Sequence, residues 1–330
     1  MLRSMYSGIS GLKVNQTKLD VIGNNIANVG TTAFKNQRIR FQDVLSQNLK
    51  FGTGASANVG GTNPSQVGLG VEVAGIDTMV SQGNMQPTGR NLDFAVDGDG
   101  YFVVARGKAE DDFEKLDVYY TRDGSFALDD QGQLLTSDGY RVLGYQVDGA
   151  EINNAAKPPT LKVKTEDKEV GGKNIKVPAQ GDKIEAKGNL KPLIIPDEVT
   201  YGENGPKMKI KNFSVDKNGV INAVLQNNQV VAIGQIGMSS FKNPAGLYKE
   251  GKNLYSTSAS SGDALRRGGV GSGENEEGYG DIIQGRLEMS NVDLAEQFTE
   301  MIVASRAFQA NGKIITTGDE ILQDLVNLKR

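Results

Sequence analysis

From Leu2 to about Val29, apolar side chains return every seven residues: Met5, Leu12, Leu19 and Ile26 form one row, with Leu2 and Ile9 in the neighbouring one. That spacing predicts an amphipathic helix, about 42 Å long at 1.5 Å per residue. The second row then turns to Gln16 and Gly23, Asn24, Asn25 and Asn28 lower helix propensity, and Gly30 is the expected stop. At the other end Leu294, Met301, Phe308, Ile315 and Leu322 repeat at the same interval, with Phe298 and Val326 in a companion row. The companion row also holds Ser305, Gly312 and Asp319, and Ser290 followed by Asp293 reads as a capping box. Each stripe needs a partner, and the other terminus supplies one, so the two helices are expected to pair as a coiled coil that is marginal in isolation.

Between the helices the period shortens to that of strands. Runs such as Tyr101–Val104, Gly144–Val147 and Val230–Ile233 are broken by Asp97-Gly98, Asp99-Gly100, Asp123-Gly124, Asp138-Gly139, Asp148-Gly149 and Asn218-Gly219. Those dipeptides favour the positive φ of tight hairpin turns, so the middle reads as mainly antiparallel β in one or two domains. The fold class is α+β. Ser46 to Gly68 and Ser256 to Gly280 read as linkers, rich in Gly, Ser and Asn. Residues 150–211 differ again, with many Lys and Pro, and read as an inserted second β domain. The expected layout is a terminal helical domain (1–30 and 290–330), an extended segment (31–70 and 281–289), a first β domain (71–149 and 212–280), and the insert.

Composition narrows the chemistry. Of 330 residues 42 are glycine, which fits many turns, while 36 Lys and Arg against 40 Asp and Glu leave a net charge of −4 and no basic footprint for nucleic acid. Cys, His and Trp are all absent, which removes thiolate and imidazole chemistry, disulfides and the commonest zinc ligands. No apolar run suits a signal peptide or a membrane span. Asp97-Gly98-Asp99-Gly100 lacks the fifth-position ligand of a calcium loop, because Tyr101 stands there. Asp111, Asp112 and Glu114 would be candidates for a glycosidase acid and base, yet nothing sets two of them across a cleft, and solvation is the expected state. Arg38, Arg40, Arg266 and Arg267 are too isolated for nucleic acid and are candidates for ion pairs between subunits. No catalytic, cofactor or metal residue is expected.

The stretch Ser10-Gly11-Leu12-Lys13-Val14-Asn15-Gln16-Thr17-Lys18-Leu19-Asp20-Val21-Ile22-Gly23-Asn24-Asn25-Ile26-Ala27-Asn28-Val29, followed by Thr31, Thr32, Phe34 and Lys35, resembles the N-terminal motif of flagellar rod and hook axial proteins. Leu69-Gly70-Val71, Gln82-Gly83-Asn84, Thr88-Gly89 and Leu92 through Phe102 resemble that family's entry into its first β domain. Phe241 to Leu247, Gly251, Asn253 to Tyr255, Gln284 to Ala295, Asp319 to Gln323 and Val326 to Leu328 are similar to the same family, so motifs bracket the whole chain apart from the insert.

The resemblance implies a non-enzymatic, extracellular subunit, exported without a cleaved signal by the flagellar type III machinery, that polymerises helically with copies of itself. It implies that the terminal helices line an axial channel while β domains form an outer layer. The residues expected to carry packing are Met5, Ile9, Leu12, Leu19, Ile26, Leu294, Phe298, Met301, Phe308, Ile315 and Leu322. Expected partners are rod and hook-filament junction proteins, the hook cap and the export machinery, with no nucleic acid and no membrane insertion. Within the family, the insert and Asn243-Pro244-Ala245-Gly246-Leu247 favour the flexible hook over the stiff distal rod. A secreted carboxylate-based polysaccharide hydrolase is the rival from another class.

Overall fold

A computed structural model describes residues 2–54, 60–107, 116–146, 151–153, 160–163, 165–170, 173–178, 190–201, 207–266 and 280–328. Asp111, Asp112, Glu114, Asp148-Gly149 and Arg267 lie outside these residues, as does most of the Ser256 to Gly280 linker's second half. The chain divides into two compact units, one formed by Met1–Ser81 with Ser290–Arg330 and the other by Gln82–Met289.

The first unit contains both long helices, α1 over Leu2–Ala27 and α2 over Leu294–Asn327. Helix α1 ends two residues before the expected Val29, in a turn over Asn28 to Gly30. Helix α2 passes through Gly312 and Gly318 unbroken. Its cap differs from the expected capping box: Asp293 itself stands at the N-cap and accepts from Ala295 N at 2.8 Å and Glu296 N at 3.3 Å. A carboxylate there satisfies two free helix donors and meets the positive end of the helix dipole.

Four strands complete this unit: β1 Gln37–Asp43, β2 Ser46–Lys50, β3 Ser65–Gly68 and β4 Val71–Thr78. Strand β1 pairs antiparallel with β4, and β2 with β3, so the expected Ser46 to Gly68 linker is a β ribbon. It has no inward face: β2 and β3 are exposed at every position, so the alternation that betrays a strand never forms. Arg38 lies opposite Asp77 in the β1–β4 register, and Arg40 Nε reaches Asp77 Oδ2 at 2.6 Å. These two arginines thus pair with Asp77 within the chain.

The second unit is the β body. Its main sheet runs, in hydrogen-bonded order, Glu151–Asn153, Thr160–Val163, Glu198–Tyr201, Lys207–Val215, Val220–Leu225, Val230–Ile236, Arg141–Gln146, Tyr101–Arg106, Asp117–Thr121, Leu254–Ser256 and Tyr248–Gly251. Every pairing along this path is antiparallel except that of Thr160–Val163 with Glu198–Tyr201. Three strands of the 150–211 segment therefore lengthen the body's own sheet, while Thr165–Val170 and Lys173–Pro178 form a separate two-stranded ribbon.

Both faces of the central strands are covered. Phe102 and Val104 pack with Phe94, Phe126, Leu134 and Ile236, whereas Tyr101, Val103 and Ala105 pack with Tyr120, Phe241, Leu247 and Tyr255. This is why Tyr101–Ala105 reads as a continuous apolar run. The turn glycines fit their expectation at Gly98 (φ 107°), Gly139 (φ 80°) and Gly219 (φ 80°). Gly124 has another reason, since a Cβ there would lie 1.8 Å from the Phe94 carbonyl oxygen. Arg122, 2% exposed, donates to the Gly100 carbonyl at 3.0 Å and also to Gly98 O, and its Nε lies 3.6 Å from Glu288 Oε2.

Candidate assembly surface

The two helices pack antiparallel, and many of the residues between them are small or polar. A Cβ on Gly8 would sit 3.3 Å from Ile315 Cγ1, one on Gly11 would sit 2.7 Å from Asn311 Nδ2, and one on Gly318 would sit 3.2 Å from Met5 Cγ. Further along, Lys18 Nζ lies 3.4 Å from Glu300 Oε2, and Asn25 Nδ2 donates to Gln297 Oε1 at 3.0 Å. On α1 the seam follows Gly8, Gly11, Asn15, Lys18, Ile22 and Asn25, alternating three and four residues. On α2 the heptad row of Met301 and Ile315 is present, but its companion is Gln297, Ala304, Asn311 and Gly318, one residue before the expected Phe298 row.

Glycine and alanine at these points let the two backbones approach, and the seam takes in the buried Ile22 and the half-buried Ile315 while its other large apolar neighbours stand to the side. Met5 lies over Gly318 and Ile315 over Gly8, and Leu12, Leu19, Ile26, Met301 and Leu322 are half-buried. Ile9 is 51% exposed and Phe298 50%, with Leu294 and Phe308 also exposed. Thus Ile9, Leu294, Phe298 and Phe308 do not pack inside this subunit. Ile302, Val303, Ile314, Ile321 and Leu325 on α2, none of them singled out in the sequence, are exposed as well, and so is Val326 of the expected companion row.

The ribbon adds to this surface. Leu45, Leu49 and Phe51 are exposed, Phe51 by 79%. Two isolated strands are marginal in water. Apolar surface of this extent on a helix and a ribbon marks a contact face for another molecule. Among the described residues no group of three acidic side chains converges as a cation site, and no helix is long and apolar enough to cross a membrane.

Tyr101, Tyr120 and Tyr255 of the body are held neutral by burial. Burial pushes Tyr101 up to about 12, against a smaller opposing influence of Arg122, and burial also raises Tyr255 and Tyr120. They form an edge-packed aromatic cluster, with Tyr101 and Tyr255 ring centroids 5.6 Å apart and Tyr120 and Phe241 4.8 Å apart. This cluster is core rather than a binding site.

Three family models match the chain in turn. "Flagella basal body rod protein" covers residues 5–35, "Flagellar hook protein FlgE/F/G D1 domain" covers 95–223, and "Flagellar basal body rod FlgEFG protein C-terminal" covers 283–328. The flagellar basal-body rod protein FlgG of Bacillus subtilis is 43% identical over 330 residues, spanning all of both chains. This chain belongs to the flagellar rod and hook axial family.

Among its relatives, the flagellar hook protein FlgE of Borreliella burgdorferi is 32% identical over 454 residues, again spanning both chains entirely. The basal-body rod protein FlgG of the same organism is 34% identical over 331 residues. A solved Helicobacter pylori hook protein FlgE2 matches at 12% identity and a TM-score of 0.37, over 62% of this chain and 100% of that one. Membership in this axial family makes the chain a structural component of the flagellar hook or basal body that assembles with copies of itself. The family models fall on α1, on the body together with the whole 150–211 segment, which the sequence motifs had left out, and on α2, so the exposed helical face lies on matched residues.

Proposed function

We propose that the chain is the hook subunit, a non-enzymatic protein that polymerises into a flexible tube and transmits torque from rod to filament. The observation that carries this reading is the 150–211 segment, which adds three strands to one end of the body's sheet and a free ribbon besides. A joint that bends needs β material whose contacts can shift while the helical seam stays fixed. The α1–α2 pair acts as the coiled coil of the tube's inner layer, and the exposed faces of α2 and the ribbon take up neighbouring copies. Type III export, the rod, the hook-filament junction and the hook cap are the partners consistent with this role, and the polymer stands outside the cell.

A second reading, the distal rod, is favoured by one specific finding: the rod relatives align over 330 and 331 residues, whereas the hook relative aligns over 454. Polymerising the purified chain in vitro and imaging it by negative stain separates the two. Curved tubes are expected, and straight rigid rods would replace the hook reading with the rod reading.

A further inference from the structure

The body begins at Gln82 and ends at Met289, and its two ends run side by side. Met85–Pro87 pairs antiparallel with Arg286–Glu288, and Met289 N donates to the Asn84 carbonyl at 2.8 Å, so the chain enters and leaves the body through one short stem. At the inner end of this stem the backbone ties it to the body, because Gly285 N donates to Asp93 O at 2.7 Å. The stem is three residues long on each side, with Gln86, Pro87 and Arg286 exposed. So short a two-stranded pair buries too little to hold a direction by itself.

At the outer end of the stem stands a buried pair of charges. Arg122, directly after the strand Asp117–Thr121, and Glu288 are each 2% exposed. The guanidinium donates through Nε to Gly100 O at 3.0 Å and through Nη2 to Gly98 O, and it stands 5.7 Å from the centre of the Tyr101 ring. Gly98 and Gly100 both have positive φ, at 107° and 141°, and the turn they form presents two carbonyls to one side chain. Glu288 Oε2 lies 3.6 Å from Arg122 Nε, and Glu288 Oε1 accepts from Gly83 N at 2.9 Å. Beside it Gln82 Nε2 donates to Asp97 Oδ1 at 3.1 Å. A line of polar contacts thus runs from the turn 98–100, through Arg122 and Glu288, to the incoming chain at Gly83.

Stability alone does not account for this pair. Taking two charges out of water is costly, and an apolar pair of the same volume is often as stable. What the charged pair adds is direction. A planar guanidinium fork that must satisfy two carbonyls and a carboxylate together accepts few poses, and its bonds are the strong, charge-assisted kind. We propose that Arg122 and Glu288 are positioning residues for assembly: they staple the outer end of the stem to the turn 98–100 and so fix the direction in which both ends of the chain leave the body. Subunits with a fixed stem build a uniform polymer, and subunits with a free one do not. The proposal rests on assembly, which hook and rod share, and not on the choice between them.

Glu288→Gln tests the staple with little change of shape. Its single amide oxygen can serve Arg122 or Gly83 N but not both, and it no longer balances the guanidinium. In the full-length monomer the amides of 85, 86 and 287–289 should then exchange at least about tenfold faster than in the unchanged chain, while those of Tyr101–Ala105 stay as slow as before. A pair that only stabilised the body would speed both sets together. Polymers of Glu288→Gln, viewed by negative stain, should vary in diameter and curvature along single tubes where the unchanged chain gives uniform ones. Equal acceleration of both sets of amides, acceleration of neither, or polymers as uniform as those of the unchanged chain overturns the proposal. Should Glu288→Gln not fold, the unchanged chain decides. Its stem amides should exchange within about tenfold of those of Tyr101–Ala105, and a stem that opens far more freely than this is not stapled, which defeats the proposal equally.

Discussion

Strand Tyr101–Arg106 and helix α2 are both rich in apolar residues, yet the strand hides five of its six residues and the helix leaves most of its large ones in water. The strand has a neighbour on each edge and a cluster on each face. The helix has a single narrow seam, lined by Gln297, Ala304, Asn311 and Gly318 with Met301 and Ile315 beside them, and its phenylalanines lie outside it. A subunit folded in this way has a body that is complete by itself and a helical unit that is finished only by other molecules. Burial at roughly 25 cal/mol per Å² of apolar area rewards the first at folding and the second at assembly.

The sharpest break between the two regions is a matched pair of truncations. Phe102 is 0% exposed and its ring stands 5.3 Å from that of Phe126, so Phe102→Ala should destabilise the body by about 3–5 kcal/mol. Phe298→Ala, on the open face of α2, should cost the monomer less than about 1 kcal/mol. Chemical denaturation followed by near-ultraviolet circular dichroism measures both. Equal costs would erase the distinction.

Alkaline pH should weaken the body. Burial pushes the Tyr101 hydroxyl up to about 12 from its ordinary 10.0, so the folded state binds the proton more tightly. The resulting stability is fully present below pH 10 and disappears as pH rises through about 12, a loss of roughly 3 kcal/mol from this residue. Tyr255 and Tyr120 shift in the same direction. Unfolding monitored by tyrosinate absorbance should therefore begin above pH 10, and Tyr101→Phe should blunt it. A body whose stability is flat from pH 9 to 12 would mean that these hydroxyls are not desolvated.

A smaller effect is expected at the entrance to α2. Asp293→Ala removes the acceptor for Ala295 N and Glu296 N and should cost about 1 kcal/mol, seen as faster amide exchange in the first turn. Asp293→Asn should restore most of it. The body should not respond to either change.

The body was legible in the sequence because its signals are local. Asp-Gly turns at Gly98 and Gly139 and the Asn-Gly turn at Gly219 need positive φ, and Tyr101–Val104 reads as a strand. The helices were legible as elements, since their heptads survive in Met301, Ile315 and Leu322. Their facing was not. Phe298 outranks Gln297 on any apolar scale, and only the seven-residue recurrence of Gly11 with Lys18 and Asn25, or of Ala304 with Asn311 and Gly318, hinted that the seam runs one residue earlier. The β2–β3 ribbon was invisible for a related reason: strands with no buried face leave no alternation, so Ser46 to Gly68 read as a linker. Lys35 and Asn291 were quoted only as parts of motifs and Asn36 not at all, because burial of a lysine is set by the Ser81 carbonyl that its ammonium reaches, which no local pattern encodes.

The last prediction uses the smallest expected change in the monomer to ask the largest question about the surface. Ile302 is 62% exposed on α2, next to Phe298 one helical turn earlier. Replacing it with Ser removes apolar area that the free subunit does not bury, so the denaturation midpoint should move by less than about 0.5 kcal/mol. In the polymer the same position is expected to be covered by a neighbouring copy. There the loss of a buried isoleucine costs about 2–3 kcal/mol at every subunit contact, and the repeated penalty should raise the critical concentration for polymerisation about thirtyfold or more. Sedimentation of polymer across a concentration series reads this directly, with Leu128→Ser, on an exposed position of the body, as the control. If Ile302→Ser polymerises at the same concentration as the unchanged chain, the open face of α2 is not the assembly surface, and its apolar residues need another explanation.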